Sequence, residues 1–391
     1  MSEQVIQEVV AVKQDQELCS SCSICSTLCP YDALARDAET GKITLDITKC
    51  QVCGLCYSNC PARVIDTVYY DLDSLISYLE KARQEYASDT LAIMCRGSAP
   101  DMDGVERLFG VSKFIPLLVP CVGRIPDEIY FRALLLGINK INVLACDEDF
   151  CRYERGSSVV GRKIAALNRL FDQLGYGQEV ITLKRNTLKV KVDSNLCIAC
   201  GNCVFYCPYD AAKLESSGGV QFDLAACRGC GLCVAMCPSI ALDLDNWEKE
   251  RISALITKAA SEIASPKILV FRCQWATLPP ISEELPPNIR FIDLPCASRI
   301  DSFHVLEALQ EGIEGVLVVA CSEDDCKQEK ASGKAEHAIA SLSGRLGQIG
   351  LQDKLHFCTV APRYPEELNR ELEQFSQKVE SVGSNGSKES E

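Results

Sequence analysis

The cysteines carry the clearest chemical signal in this sequence. Sixteen of the 25 cysteines fall into four copies of one pattern, C-x2-C-x2-C-x3-C-P. Soft thiolates at this spacing can wrap a metal centre, and such sites select iron–sulfur clusters, zinc or Cu(I). A single run could be chance or a zinc site, but four runs in two tandem pairs predict iron–sulfur chemistry. The runs are Cys19/Cys22/Cys25/Cys29, Cys50/Cys53/Cys56/Cys60, Cys197/Cys200/Cys203/Cys207 and Cys227/Cys230/Cys233/Cys237.

The spacing resembles that of bacterial two-cluster ferredoxins, in which the fourth cysteine of each run binds the cluster of the other run. The resemblance implies four [4Fe–4S] clusters. These could be structural clusters of fixed oxidation state, but paired clusters in one small module favour a conducting role. Residues 42–47 and 219–224 alternate like short strands, which predicts small hairpins. The implied ligand sets are Cys19/Cys22/Cys25/Cys60, Cys50/Cys53/Cys56/Cys29, Cys197/Cys200/Cys203/Cys237 and Cys227/Cys230/Cys233/Cys207.

The chain repeats itself, which indicates a tandem duplication. Cys197 follows Cys19 by 178 residues, and Cys273 follows Cys95 at the same interval. After a short contraction the interval becomes 175 residues. We expect the unpaired Cys358 to be a buried apolar residue rather than a ligand. The repeat pairs eight cysteines outside the runs, namely Cys95, Cys121, Cys146 and Cys151 with Cys273, Cys296, Cys321 and Cys326.

In each half, three of these cysteines follow apolar runs that are typical of β-strands. Helices are predicted between some of the runs, at 127–136 and 301–311, so the order of elements indicates a small parallel sheet. Ligands of such sheets lie beyond the carboxyl ends of the strands, where these thiols would converge. The site could hold a [2Fe–2S] cluster, a [4Fe–4S] cluster or zinc. It could also perform thiol–disulfide chemistry through Cys146/Cys151 or Cys321/Cys326.

The string PCVGR…INVLACDEDFCRYERG (120–156), echoed by PCASR…GVLVVACSEDDCKQEKASG (295–333), resembles the delta subunit of methyl-viologen-reducing hydrogenase. The resemblance covers about 90–185 and 267–360 and implies one or two [2Fe–2S] clusters. It assigns the eight repeat-paired cysteines as ligands. The family usually has one more cysteine, three residues after the first, where this chain has Ser98 and Ala276. If that further thiol is a ligand in the family, one or both halves of this chain lack a ligand for the cluster.

Arg124 and Arg299 follow the second cysteine of each set at equal spacing. They could take part in cofactor binding by donating N–H groups to cluster sulfur, which would raise its reduction potential. Alternatively, they are ordinary surface arginines.

The predicted fold is a multidomain α+β and α/β chain, in which two ferredoxin-like modules each precede a small parallel-sheet α/β domain in tandem duplication. The predicted segments are an N-terminal extension (1–16), a ferredoxin module (17–70), a linker helix (71–88), an α/β domain (89–185), a second ferredoxin module (186–245), a second linker helix (246–265), a second α/β domain (266–375) and a disordered tail (376–391).

Composition excludes several classes of protein. The net charge of −14 makes nucleic acid a poor partner, and no apolar stretch is long enough to span a membrane. The start of the chain is polar and acidic, unlike a signal peptide, so we expect a cytoplasmic protein of an anaerobe, or one held at a membrane by its partners. Without a glycine-rich nucleotide motif after a strand, no flavin or nicotinamide is expected on this chain alone.

These features predict an iron–sulfur electron-transfer subunit of an anaerobic oxidoreductase complex, with no catalytic residues of its own. The family resemblance implies two kinds of partner. One is a flavin subunit like that of heterodisulfide reductase, and the other is a hydrogenase, formate dehydrogenase or other dehydrogenase. The complex could perform flavin-based electron bifurcation. The alternatives are a thiol–disulfide oxidoreductase and a scaffold module that binds zinc.

Overall fold

The computed structural model describes residues 10–98, 102–216, 218–278, 285–329 and 331–386. Part of the predicted N-terminal extension, residues 1–9, lies outside this range. The described residues form two units, of which the first holds twelve cysteines and the second holds thirteen. Unit 1 comprises the described residues within Met1–Thr187, Leu278–Glu283 and Pro362–Tyr364. Unit 2 comprises the described residues within Leu188–Thr277, Glu284–Ala361 and Pro365–Glu391.

The cysteine-rich module of unit 1 is built from four short strands and two short helices. The outer strands pair antiparallel, with Val12 opposite Thr67, and the inner strands form a hairpin, with Leu34 opposite Leu45. This hairpin includes the strand predicted at 42–47. The elements are β1 (Val12–Gln14), α1 (Ile24–Leu28), β2 (Leu34–Arg36), β3 (Ile43–Leu45), α2 (Leu55–Ser58) and β4 (Ile65–Thr67).

A four-stranded parallel sheet forms the rest of unit 1, in the strand order β6-β5-β7-β8. All six residues of β5 are buried because the sheet is covered on both faces. Leu91 and Ile93 belong to one apolar core, and Ala92 and Met94 to another. The elements are α3 (Leu72–Tyr86), β5 (Thr90–Cys95), α4 (Met102–Phe109), β6 (Ile115–Val119), α5 (Asp127–Leu135), β7 (Lys140–Ala145), α6 (Gly156–Gln173) and β8 (Ile181–Arg185).

Unit 2 begins with a module of the same pattern. Its outer strands pair antiparallel, with Val190 opposite Leu244, and its hairpin places Ala212 opposite Phe222. The elements are β9 (Val190–Val192), α7 (Asn202–Tyr206), β10 (Ala212–Leu214), β11 (Val220–Phe222), α8 (Leu232–Ala235) and β12 (Leu242–Leu244).

The sheet of unit 2 is also parallel, in the strand order β14-β13-β15-β16. Asp301 caps α10 by accepting a hydrogen bond from the backbone N–H of His304 at 3.1 Å. The elements are α9 (Lys249–Glu262), β13 (Ile268–Cys273), β14 (Ile289–Leu294), α10 (Ser302–Gln310), β15 (Gly315–Cys321), α11 (Ala331–Gly347), β16 (Leu355–Val360) and α12 (Glu366–Gly386).

The end of the chain differs from the prediction of a disordered tail from residue 376. Helix α12 continues to Gly386, and the buried side chains of Leu368, Phe375 and Val379 give it an apolar face. The polar composition of the segment hid the helical spacing of its few apolar residues. The remainder of the predicted tail, residues 387–391, lies outside the described range. Among the described helices, none has the length and apolar character to cross a membrane.

Candidate metal centres

The cysteine runs border cavities in which three cysteines come from one run and the fourth from the other run of the same module. Cys29 lines one pocket together with the 50/53/56 cysteines. Cys237 lines one pocket together with the 197/200/203 cysteines. Cys207 lines one pocket together with the 227/230/233 cysteines. The crossed grouping expected from ferredoxins is therefore present at these three places.

The fourth set, around Cys19, Cys22 and Cys25, is identified from the effect of neighbouring thiols on the pKa of Cys25. Burial raises the pKa of Cys25, and the thiols of Cys60, Cys22 and Cys19 raise it further. Cys60, from the second run, therefore lies in the neighbourhood of the first run.

We name the four sets by their position. The outer sites are Cys19/Cys22/Cys25/Cys60 in unit 1 and Cys197/Cys200/Cys203/Cys237 in unit 2. The inner sites are Cys50/Cys53/Cys56/Cys29 in unit 1 and Cys227/Cys230/Cys233/Cys207 in unit 2. Each outer site includes an exposed cysteine, Cys22 or Cys200, whereas no cysteine of an inner site is exposed.

The side chains that line these pockets indicate which kind of group could bind there. Within the described residues, no three His, Cys, Asp or Glu side chains are spaced to hold a single metal ion. In each of these three sets, four thiols from two runs line one pocket, so the donors facing it include four sulfur atoms. Burial raises the pKa of Cys50 to about 12, so this thiol needs a metal's positive charge to be held as a thiolate. Soft sulfur donors around such a space fit an iron–sulfur cluster.

A third cysteine site lies at the carboxyl ends of the strands in unit 1. Cys95 is the last residue of β5, and Cys146 follows β7 directly, so their Sγ atoms approach to 3.4 Å. A Cβ atom placed on Gly156 would contact Sγ of Cys121 and lie 3.4 Å from Sγ of Cys151. The parallel sheet thus brings together the four predicted thiols, which we name the strand-end site of unit 1.

The strand-end site of unit 2 gathers the equivalent thiols. Cys273 ends β13 and Cys321 ends β15, with 3.5 Å between their Sγ atoms. The hydroxyl of Ser298 donates to Sγ of Cys296 at 3.2 Å. Cys326 packs against the cluster of buried residues that includes Cys296.

The positions that lack the family's extra cysteine are buried. Ser98 and Ala276 are both 0% exposed. The hydroxyl of Ser98 donates to the carbonyl oxygen of Cys95 at 3.2 Å and to that of Leu144 at 3.4 Å. This hydroxyl is engaged with backbone, so each strand-end site offers four thiols.

In each unit the strand-end site adjoins the inner site. Burial raises the pKa of Cys121, and the thiols of Cys151 and Cys53 raise it further. Cys53 belongs to the inner site of unit 1. In unit 2, Cys230 of the inner site packs in one cluster with Cys296. Each unit therefore holds its sites in the series outer, inner, strand-end.

The two arginines occupy the junction between these sites, and the surface alternative is wrong because both are 0% exposed. A Cβ atom on Gly54 would lie 2.7 Å from Cβ of Arg124, and one on Gly231 would lie 2.6 Å from Cδ of Arg299. Both glycines have positive φ, +78° and +83°. The arginine side chains therefore pack directly on the loops that carry the inner-site cysteines.

Each arginine has a buried N–H group without a partner among the described residues. Arg124 donates to the carbonyl oxygens of Val52 and Tyr69, while its Nε has no partner. Arg299 donates from Nε and Nη2 to the carbonyl oxygen of Trp247 at 3.2 and 2.8 Å, while its Nη1 has none. A buried donor left unpaired is costly, so these groups are suited to donate to a bound centre.

The sequence reasoning missed several residues around the strand-end site of unit 1. The backbone N–H of Ser157 donates to Sγ of Cys151 at 3.4 Å, and its hydroxyl donates to the carbonyl oxygen of Cys146 at 2.5 Å. Gly156 leaves the space that the sulfurs of Cys121 and Cys151 occupy. The available signal was the repeat itself, because Ser157 has a counterpart in Ser332, 175 residues later.

Comparison with known families agrees with this geometry. The family model of the methyl-viologen-reducing hydrogenase delta subunit matches residues 91–191 and 268–383. The chain belongs to this family. Two models of 4Fe-4S dicluster domains match residues 11–61 and 190–243. The predictions of the family and of two ferredoxin-type modules with iron–sulfur clusters are therefore confirmed.

Several curated proteins resemble this member of the delta-subunit family. One subunit of the ferredoxin:CoB-CoM heterodisulfide reductase of Methanosarcina mazei is 33% identical over 231 residues, which is 57% of this chain and 28% of that protein. An iron-sulfur subunit of the F420-non-reducing hydrogenase vhc of Methanococcus voltae is 30% identical over 93 residues, 22% of this chain and 65% of that protein. The chain therefore spans only 28% of the length of that reductase protein.

Proposed function

We propose that this delta-subunit family member is the iron–sulfur electron-transfer subunit of an oxidoreductase complex. The observation that carries the proposal is the series of three cysteine sites in each unit, in which Cys53 neighbours Cys121 and Cys230 packs with Cys296. Sites in such a series can pass single electrons between a surface-facing end and a buried end. The exposed cysteines Cys22 and Cys200 mark the surface-facing ends.

The proposed cofactors are four [4Fe–4S] clusters in the inner and outer sites and a [2Fe–2S] cluster in one or both strand-end sites. When bound, these clusters supply one-electron carriers whose potentials follow from net charge, hydrogen bonds to sulfur and burial. The ligands are the sixteen cysteines of the four runs and the eight strand-end cysteines. The free N–H groups of Arg124 and Arg299 would donate toward the centres, as the N–H of Ser157 does toward Cys151.

The proposed partners follow from the complexes named for the relatives, which are heterodisulfide reductase and hydrogenase. We propose a flavin subunit like that of heterodisulfide reductase on one side, and a hydrogenase, formate dehydrogenase or other dehydrogenase on the other. Electron bifurcation at the partner's flavin and a cytoplasmic location belong to the same proposal. So do the predicted domain boundaries and an origin by tandem duplication, which the equivalent strand orders of the two sheets support.

Thiol–disulfide chemistry is the second candidate, because the strand-end sites contain close sulfur pairs. The Sγ atoms of Cys95 and Cys146 lie 3.4 Å apart and those of Cys273 and Cys321 lie 3.5 Å apart, and Cys146 also interacts with Cys151, the partner expected from the sequence. Cys95, Cys146, Cys273 and Cys321 are all buried; the hydrogen bond with Cys151 lowers the pKa of Cys146, but the sulfur of Cys95 and burial together raise it above its usual value. Because the thiolate is the reactive form, such buried thiols are poor nucleophiles. This environment favours the metal centre.

Iron and sulfide analysis of the anaerobically purified chain, with EPR of the reduced sample, tests the proposal. We expect about 16 iron atoms from four [4Fe–4S] clusters and about 20 with two [2Fe–2S] clusters. Interacting [4Fe–4S] signals should accompany a [2Fe–2S] signal. Thiol labelling before and after chelation provides the control, since ligated cysteines become accessible only afterwards. A colourless protein that holds zinc, or strand-end thiols that label before chelation, would contradict the respective assignment.

A further inference from the structure

The two buried arginines occupy equivalent places in the two units but differ in the charges around them. In unit 2, Nη2 of Arg299 lies 3.5 Å from Oδ1 of Asp243, whose side chain is 28% exposed. Burial lowers the pKa of Arg299, while the carboxylates of Asp301 and Asp243 raise it. The cation beside the inner site of unit 2 is therefore partly neutralised by acidic neighbours.

In unit 1 the partners of Arg124 are neutral. Its guanidinium donates to the carbonyl oxygens of Val52 and Tyr69 and lies 5.1 Å from the centre of the Tyr70 ring. Among the residues that the structure describes, no carboxylate forms an ion pair with Arg124. The buried cation beside the inner site of unit 1 is therefore not offset by an ion-paired carboxylate among the described residues.

One of the two acidic residues that make this difference, Asp243, has a counterpart at the same register in unit 1. Asp243 lies opposite Lys191 in the β9–β12 pair, and Asp66 lies opposite Lys13 in the β1–β4 pair. Asp66 is exposed. In the described part of unit 1 it makes no ion pair with Arg124. Among the described residues, the aspartate at this strand position therefore pairs with the buried arginine in unit 2 but not in unit 1.

Other cations near the inner sites do not remove the difference. In unit 1, Nη1 of Arg363 donates to the carbonyl oxygen of Cys50 at 3.5 Å. In unit 2, Arg228 directly follows Cys227, and its guanidinium lies 6.0 Å from the centre of the Tyr209 ring. Each inner run therefore has one additional, partly buried arginine, and the carboxylates of Asp243 and Asp301 beside Arg299 remain as the distinguishing charges.

We infer that the inner site of unit 1 holds its centre at a higher reduction potential than the inner site of unit 2. A reduced centre carries one more negative charge, which an unpaired buried cation stabilises and a nearby carboxylate opposes. Burial limits the screening of these interactions by salt. The inference rests on the proposed function. Of the two inner sites, the one in unit 1 is therefore reduced first.

The substitution Asp243→Asn in the full-length holoprotein tests this inference by EPR-monitored redox titration. We expect the inner centre with the lower midpoint potential to shift upward by about 59 mV or more, which is a tenfold change for a one-electron couple. The matched control is Asp66→Asn, which should leave all midpoint potentials unchanged. Asp243→Glu, which retains the charge, should leave the wild-type potentials nearly unchanged.

The outcomes separate this inference from the proposed function. A wild-type chain that assembles no iron–sulfur centres contradicts the proposed function. If the centres assemble, an unchanged or lowered potential in Asp243→Asn overturns the inference, and so does an equal shift in Asp66→Asn. The wild-type titration is an independent test if Asp243→Asn does not fold, because coincident midpoint potentials of the two inner centres would also overturn it.

Discussion

Replacing Cys60 with serine is expected to remove the centre of the outer site of unit 1, not the centre of its own run. The reason is the crossed grouping, in which the thiol of Cys60 acts on Cys25 together with Cys22 and Cys19. The chain should lose about four iron atoms and retain the inner site, since one [4Fe–4S] cluster needs four cysteines. Iron analysis and EPR of the anaerobically purified variant measure this loss.

The reciprocal variant and a cysteine outside the sites provide the controls. Cys29→Ser should empty the inner site of unit 1, because Cys29 borders the cavity of the 50/53/56 cysteines. Cys358→Ala should retain all iron, because Cys358 is a buried residue of β16 outside the proposed sites. If Cys60→Ser and Cys29→Ser removed the same centre, the crossed assignment would be wrong.

The cysteine sites were largely predictable because their chemistry depends on short spacings. A run such as Cys50/Cys53/Cys56 is local, so the sequence alone indicates one side of its site. The grouping of the strand-end thiols could also be predicted, because the carboxyl ends of parallel strands meet at one edge of a sheet. Cys95 and Cys146 approach there to 3.4 Å although 51 residues separate them.

The burial of the arginines could not be read from the sequence. Arg124 is buried because the module that carries Val52 and Tyr69 packs on the loop after Cys121. This packing joins residues more than fifty positions apart, and neither helical nor strand periodicity records it. The series formed by the inner and strand-end sites depends on the same contact, so it too emerged only from the structure.

The final helix illustrates how composition can mislead. The segment after residue 375 is rich in serine and glycine, which predicted disorder. Phe375 and Val379 nevertheless lie one helical turn apart and contact the start of β15 at Gly315. A Cβ atom on Gly315 would lie 2.5 Å from Cγ2 of Val379, so the helix packs where this strand has no side chain. Tertiary packing therefore outweighed local composition.

The substitution Gly231→Ala should strongly disrupt the inner site of unit 2, for two separable reasons. Gly231 has a φ of +83°, a left-handed conformation that costs an alanine about 1–2 kcal/mol. Its added Cβ would also lie 2.6 Å from Cδ and 3.0 Å from Cβ of Arg299, and such overpacking costs about 1–3 kcal/mol. We expect the free energy of unfolding to fall by about 2–5 kcal/mol. The loss of about four iron atoms should accompany this fall.

Gly312→Ala separates backbone strain from the clash with the arginine. Gly312 has a φ of +87°, but its added Cβ would have no neighbour within 4 Å. This variant should lose only about 1–2 kcal/mol and keep its iron, because it carries the strain alone. Anaerobic denaturant titration with iron analysis compares the two variants. Equal destabilisation with full iron in both would show that contact between Arg299 and the Gly231 loop does not hold the inner site. A larger loss of stability and iron in Gly231→Ala than in Gly312→Ala would show that contact with the buried arginine stabilises the inner site of unit 2.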